Sequence, residues 1–255
     1  MKKWEVAAVE RVEHGKQAPL RWRVVRPLFA LLYRNRALYW LASTIPFAGQ
    51  WRTWQRLVLP RLVGRDVLEV GCGLGTLLAD MARAGYRCQA IDRSPQMAAA
   101  TRDRLRRARI LPDMAAVTVA DVRRLPFADA AFDSAVSTFP TEYIFDRVAL
   151  REIARVLRPG GRLVIVLGAA LLPASLPLLP FVAIQSLVYG RRPPAHTSED
   201  AGGSAAGARG DALLALLSEA GLSARREVVR GPFWEAYLYI AQKSDDAAQP
   251  TKRTL

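Results

Sequence analysis

The sequence predicts an α/β protein built on a doubly wound, mostly parallel sheet, and three observations carry that prediction. From Asp66 onward, short apolar runs rich in Val, Ile and Leu alternate with stretches of helical periodicity. Each of the first three runs is followed by a glycine loop or an acid: Gly71, Asp92 and Asp121. At 255 residues and 51% apolar, the chain can also bury the large core that such a sheet requires.

The elements follow in order. Strand one is Asp66–Val70. A helix runs from about Leu74 to Ala84, and Gly85 stops it. Strand two is Arg87–Ile91. Ser94 then offers an N-cap, with Pro95 at the first helical position, for a helix reaching about Ala108. Strand three is Ala116–Val119 and strand four Phe132–Ser137. A helix over Arg147–Leu157 ends at Arg158-Pro159-Gly160-Gly161, and strand five is Arg162–Leu167. An apolar insert follows, then a Gly/Ala/Pro-rich loop over 191–210. A helix over Asp211–Ala220 is stopped by Gly221, and two final strands lie near 222–230 and 233–242.

Charge divides the chain differently. The net charge is +14, and residues 1–65 carry +10 of it: 13 Lys or Arg against Glu5, Glu10 and Glu13. Such a block attracts a polyanion, either nucleic acid or an anionic membrane face. Residues 1–62 are therefore expected to form a basic helical extension, broken near Pro27, Pro46 and Pro60, with five of the six tryptophans. Leu28, Phe29, Leu31, Leu32, Leu38 and Tyr39 supply its apolar faces. The α/β domain is expected over 63–242, with a lid-like insert at 168–210, and residues 243–255 read as a disordered tail. Cys72 and Cys88 do not look like half of a disulfide framework, which fits a reducing cytoplasm. No secretory leader is read, because charges recur after Lys2 and Lys3 before any sufficient apolar run.

The loop Glu69-Val70-Gly71-Cys72-Gly73-Leu74-Gly75 leaves strand one and opens a helix. Glycines are needed where a turn is tight and a ligand lies against the backbone. The spacing is G-x-G-x-G with an acid two residues earlier, unlike the dinucleotide form G-x-G-x-x-G. A carboxylate beside the loop suits a positively charged ligand better than a pyrophosphate. Asp92 ends strand two, where its two oxygens can take both hydroxyls of a ribose. Asp121, in Ala120-Asp121-Val122, follows strand three and can accept from an adenine amino group. Any one of these acids alone could be a solvated loop residue. Together they stand at the carboxyl ends of three successive strands, the edge where open parallel sheets bind ligands.

These residues closely resemble the class I S-adenosylmethionine-dependent methyltransferases. The family's E-x-G-x-G-x-G is similar to Glu69, Gly71, Gly73 and Gly75, its ribose acid to Asp92 and its adenine-side acid to Asp121. Phe127 with Phe132-Asp133 resembles its P-F…F-D approach to strand four, and Leu157-Arg158-Pro159-Gly160-Gly161 its turn before strand five. The likeness is strong over 66–167 and loose over the closing strands. It implies a Rossmann-like, seven-stranded, mostly parallel sheet with the last strand antiparallel, and S-adenosyl-L-methionine as cofactor. The implied cofactor contacts are Glu69, Gly71, Cys72, Gly73 and Gly75, then Asp92 with Arg93, Asp121 with Val122, and Ser137. No metal is expected.

A sulfonium methyl is already activated, so such an enzyme mainly aligns the acceptor, excludes water and sometimes removes a proton. Acceptor residues in this family usually follow strand four, here Ser137-Thr138-Phe139-Pro140-Thr141-Glu142-Tyr143. This segment lacks the N-P-P-Y/F motif of amide and base N-methyltransferases. Glu142 and Tyr143 are the catalytic candidates: a counter-charge or base, and a π face for an ammonium. The plainer alternative is that both simply begin the next helix. His14 and His196 are the only histidines, and His196 falls in a polar loop.

Two departures point to a greasy acceptor. In the extension, Arg21, Arg23, Arg26, Arg34 and Arg36 interleave with Trp22, Tyr33, Tyr39 and Trp40, as suits a lipid headgroup region. Anionic lipid contributes roughly 1 kcal/mol per basic residue near the surface. The other reading of this region is a helical cap over the cofactor pocket with solvated arginines. The stretch Gly168–Gly190 carries no charge, but Pro173, Pro177 and Pro180 argue against a continuous span. It reads as an apolar lid, or as an ordinary insert covering the sheet. The expected function is methyl transfer to a lipid or lipophilic small molecule, with an amine headgroup slightly favoured. The expected location is the cytoplasm, peripheral on the cytoplasmic membrane face. The bacterial phospholipid N-methyltransferases and quinone C-methyltransferases look similar, and no motif separates them. A soluble metabolite methyltransferase and an RNA-binding or RNA-modifying protein are the alternatives. No usual RNA-binding module is visible, and nucleic acid is not the expected partner.

Overall fold

The computed structural model describes residues 49–172 and 205–245, with the backbone alone over 205–208. The basic aromatic stretch before Gly49, the segment 173–204 with His196, and residues 246–255 lie outside the described residues. Within them run α1 (Trp51–Arg56), a 3-10 turn (Leu59–Arg61), β1 (Asp66–Val70), α2 (Thr76–Arg83), β2 (Arg87–Asp92), α3 (Pro95–Arg107), β3 (Ala115–Val119) and β4 (Phe132–Thr138). A 3-10 turn (Glu142–Phe145), α4 (Arg147–Val156), β5 (Leu157–Leu171), α5 (Ala205–Glu219), β6 (Leu222–Arg230) and β7 (Trp234–Lys243) complete the order.

The seven strands form one sheet in the order β3-β2-β1-β4-β5-β7-β6. β1 to β5 pair parallel, and β7 runs antiparallel to both β5 and β6. Strand order reverses between β1 and β4, and in such sheets the crevice outside that point binds ligands. Both faces are covered, so the strands are apolar on both sides instead of alternating. Val67, Val136, Val164 and Trp234 join Leu77, Leu78 and Met81 of α2 on one face. Leu68, Ala135, Leu163 and Ile165 join Leu150 and Ile153 of α4 and Leu213 and Leu217 of α5 on the other. Trp54 of α1 and Val58 are fully buried in the first of these layers.

Several expected boundaries move: β5 begins at Leu157 instead of Arg162, and α5 begins at Ala205, inside the expected loop and insert, instead of at Asp211. β5 continues to Leu171, so Gly168–Leu171 are sheet residues and not the start of an insert. β7 holds them there, with Ala169 opposite Ala236 and Leu171 opposite Trp234. Lys243, expected in the tail, ends β7 and its Nζ donates to the Ala154 and Leu157 carbonyls at 2.8 Å each. A long flexible cation can satisfy two orphan carbonyls at a helix end, which residue type alone does not announce.

The N-terminal edge of the sheet is stapled by charge. Asp133 accepts from the Arg65 and Asp66 amides at 2.8 and 3.0 Å and from Arg158 at 2.5 Å, and Arg158 also reaches Asp66. Burial pushes the Asp133 carboxyl up, but these donors prevail and hold it below the usual range. Phe127 meets Phe132 edge to face at 5.0 Å. Gly161 is required because a Cβ there would lie 2.7 Å from the Arg158 carbonyl oxygen. The aromatic-acid and glycine signals flanking β4 thus fasten the edge opposite the ligand crevice.

Candidate functional site

The loop after β1 has Gly71, Gly73 and Gly75 at φ 76°, 54° and 67°. Three alternating left-handed positions would strain most side chains, so the glycine spacing is a backbone requirement. The Gly71 and Cys72 amides donate to the Ile91 carbonyl at 2.9 and 3.2 Å, tying the loop to the end of β2. Thr101 of α3 donates to the Gly73 carbonyl at 2.9 Å, and Arg104 to that of Leu74 at 2.7 Å. A Cβ on Gly75 would stand 2.6 Å from the Thr101 methyl. The loop is therefore shaped before any ligand arrives.

Asp92 faces this loop. Its Oδ2 accepts from the Gly73 amide at 2.9 Å and its Oδ1 from Ser94 at 2.8 Å. Each oxygen keeps a further lone pair for a ligand hydroxyl. Burial raises its carboxyl above the usual value, and the two amides and the Arg93 charge oppose that rise. Glu69 is 1% exposed, and its Oε2 has no partner among the described residues. Burial first, then the nearby Asp92 and Asp80 carboxylates, push Glu69 up to about 8. A buried carboxyl with an unfilled acceptor stabilises a cation placed beside it.

The other expected residues separate into groups. Cys72 is buried with its Sγ 3.6 Å from the Thr101 hydroxyl, and burial pushes its thiol well up. It packs the loop and has no thiolate character. Cys88 is buried in β2 and pushed up to about 12, again by burial. Both cysteines are free. Val122 is buried beside exposed Asp121, whose Oδ1 accepts from the Arg123 amide at 2.9 Å. Arg93 is exposed next to Asp92. Ser137 is fully buried, and its Oγ lies 2.7 Å from the Tyr143 hydroxyl. Glu142 and Tyr143 do begin a 3-10 turn, with Glu142 exposed and Tyr143 half-buried. Among the described residues no group of three His, Cys, Asp or Glu is placed to hold a metal.

Sequence reasoning missed an aromatic wall. Phe139, just beyond β4, has φ 51° and donates its amide to the Val166 carbonyl at 2.8 Å. Its ring stacks on Trp51 of α1 at 4.0 Å and 24°. Trp54 stands 6.2 Å from both Phe139 and Trp234. The only local signal was Pro140, which disfavours the right-handed helical region for the residue before it. Thr101 and Arg104, one helix away from the loop they hold, carried no signal at all.

Residues 68–165 match the family model described as a methyltransferase domain. This segment runs from β1 into β5 and is similar to the methyltransferase domains of that family. The demethylmenaquinone methyltransferase of Corynebacterium glutamicum strain R is 37% identical over 131 residues, half of this chain and 53% of that protein. The enzyme of the same name from Mycobacterium sp. strain JLS is 38% identical over the same length. The chain thus spans about half the length of the curated relatives it matches. Among solved structures, the cyclase SpnF aligns with TM-score 0.54 at 21% identity, covering 76% of this chain and 80% of its own. The geranyl diphosphate C-methyltransferase of Streptomyces coelicolor, solved with S-adenosyl-L-homocysteine, aligns with TM-score 0.51 at 17%, covering 75% and 78%. At such identities the likeness concerns the fold, and a cyclase among the neighbours illustrates that fold alone does not fix a reaction.

The residues around the loop after β1 fit a sulfonium cofactor. The three glycines leave the loop backbone bare, Asp92 sets one oxygen on the Gly73 amide and the other on that of Ser94, and the unfilled Glu69 oxygen marks a place for positive charge.

Proposed function

We propose that this chain transfers a methyl group from S-adenosylmethionine to a lipophilic small molecule carrying a flat, quinone-type ring, at a membrane surface. One observation carries the acceptor class: the Trp51–Phe139 stack rises directly from the end of β4, beside the strand that opens the cofactor loop. Stacked aromatic faces favour a flat apolar ring, by offset stacking and exclusion of water. The name borne by the 37% identical relatives supports the same class.

When bound, the cofactor supplies a methyl group activated by its sulfonium. The chain's own part is placement. The glycine loop and Asp92 hold the donor, Glu69 sets a buried carboxyl near it, and the wall of Trp51, Phe139 and Trp234 keeps water from the acceptor. Glu142, exposed where the turn begins, is the candidate base for the acceptor's ring hydroxyl. An amine headgroup is the second reading, served by the same aromatic faces and the same carboxylate.

Membrane contact falls to residues before Gly49. Of the 13 Lys and Arg in residues 1–65, nine lie there. Arg52 and Arg56 in α1 are both turned onto the buried Asp80, and Arg61 pairs with Glu227. Among the described residues no helix is long and apolar enough to cross a membrane. A peripheral, cytoplasmic-face location is part of the same proposal.

The test is transfer of labelled methyl from S-adenosylmethionine into a cell extract, separated into lipid, water-soluble and RNA fractions. Label is expected in the lipid fraction, in molecules that bind no amine reagent and absorb as quinones. Label in an amine headgroup moves the assignment to the second reading. Label confined to the water-soluble or RNA fraction overturns the lipophilic acceptor.

A further inference from the structure

The carbonyl oxygen of Val70, the last residue of β1, receives a hydrogen bond from the Tyr143 hydroxyl at 3.0 Å. The Ser137 Oγ lies 2.7 Å from the phenol oxygen and 3.5 Å from the same Val70 carbonyl, to which it can donate. The phenol also lies on Gly71, where a Cβ would come within 2.9 Å of its oxygen. Gly71 is therefore glycine for two reasons: its φ of 76° and the phenol pressed on its Cα. On the other flank, the Gly71 and Cys72 amides hang from the Ile91 carbonyl. The start of the cofactor loop is held from the β2 side by a carbonyl and from the β4 side by a tyrosine.

Tyr143 belongs to the segment that follows β4, the region read above as the acceptor side. Its own turn is anchored independently. Ile144 is fully buried next to it, and Asp146 caps α4 through the Val148 and Ala149 amides. One side chain thus joins a firmly seated acceptor segment to the first glycine of the cofactor loop.

We propose that Tyr143 is a positioning residue that sets the cofactor loop from the acceptor segment, not a group that exchanges a proton or offers a π face to the acceptor. This rests on the cofactor reading given above. Its hydroxyl proton is taken by the Val70 carbonyl or the Ser137 oxygen, so no proton remains for substrate. Burial also holds the phenol well above its usual range, which keeps it a donor at every working pH. Because the loop and the acceptor segment share this bond, order gained on one side is expected to carry to the other.

The experiment is calorimetric binding of S-adenosylhomocysteine to the full chain and to Tyr143→Phe, Ser137→Ala and the double variant, with melting temperatures alongside. Tyr143→Phe keeps the ring and removes one buried hydrogen bond, so affinity is expected to fall about three- to tenfold. Ser137→Ala is expected to fall less, and the double variant no further than Tyr143→Phe, since both act through one bond. The loss is expected to be the same from pH 6 to 9. Unchanged affinity in Tyr143→Phe, or a lower melting temperature with affinity intact, overturns the positioning role. A loss that titrates with pH overturns it in favour of proton exchange. Failure of the unaltered chain to bind S-adenosylhomocysteine overturns the cofactor reading itself.

Discussion

Replacing Glu69 by glutamine removes one titration from the folded protein while keeping the side chain's size. In the unfolded chain this carboxyl titrates near its usual 4.5, whereas in the fold burial, then Asp92 and Asp80, place it at about 8. Between those values the folded protein holds a proton that the unfolded chain has released. Stability therefore falls as pH rises across this window, since the native state binds the extra proton. The slope approaches about 1.4 kcal/mol per pH unit, and the whole window is worth on the order of 5 kcal/mol. Glutamine has no such titration. Urea unfolding of both proteins at half-unit steps from pH 5 to 9, without cofactor, isolates the effect because every other group is common to the pair. The advantage of Glu69→Gln over the parent is expected to grow steadily from pH 5 to about 8 and then level. S-adenosylmethionine should reverse the comparison, binding the parent more tightly as pH rises and the carboxylate forms. A stability difference that stays constant across pH would show that Glu69 ionises normally, and the account of its unfilled oxygen would be wrong.

Asp92→Ala should weaken S-adenosylhomocysteine at least tenfold, about 1.5–3 kcal/mol, because it removes ligand acceptors and frees the Gly73 amide together. Calorimetry measures this directly, and unchanged affinity would take Asp92 out of the site. Gly75→Ala meets both a φ of 67° and a Thr101 methyl 2.6 Å from the new Cβ. It should cost about 1–3 kcal/mol of stability and most cofactor binding, and adding Thr101→Ser should recover part of both.

Much of the sheet was legible because its signals are local. β1 and β6 fall on their expected residues, and Ser94 caps α3 by accepting from the Met97 amide. A strand buried on both faces must be apolar at consecutive positions, and a loop visiting left-handed conformations at alternate residues must be glycine there. Those demands act on single residues and can be read from a single sequence. The end of β5 was not legible, because Gly168–Leu171 look like any apolar run until β7 pairs with them.

The site divides along the same line. Sequence alone determined that Glu69, the three glycines and Asp92 would meet at one sheet edge, since strand order and spacing suffice to bring them there. Only the tertiary structure decided what each does. It put Tyr143 on Gly71 and Val70, 73 residues back in the chain from its own position for the latter. It turned Arg52 onto Asp80, so that an arginine counted in the basic block of residues 1–65 is a bidentate partner of a buried acid. It also stacked Trp51 against Phe139, the pair proposed as the acceptor wall. These pairings link residues far apart in the chain, and whether two such groups touch depends on how layers pack, a property no local pattern encodes.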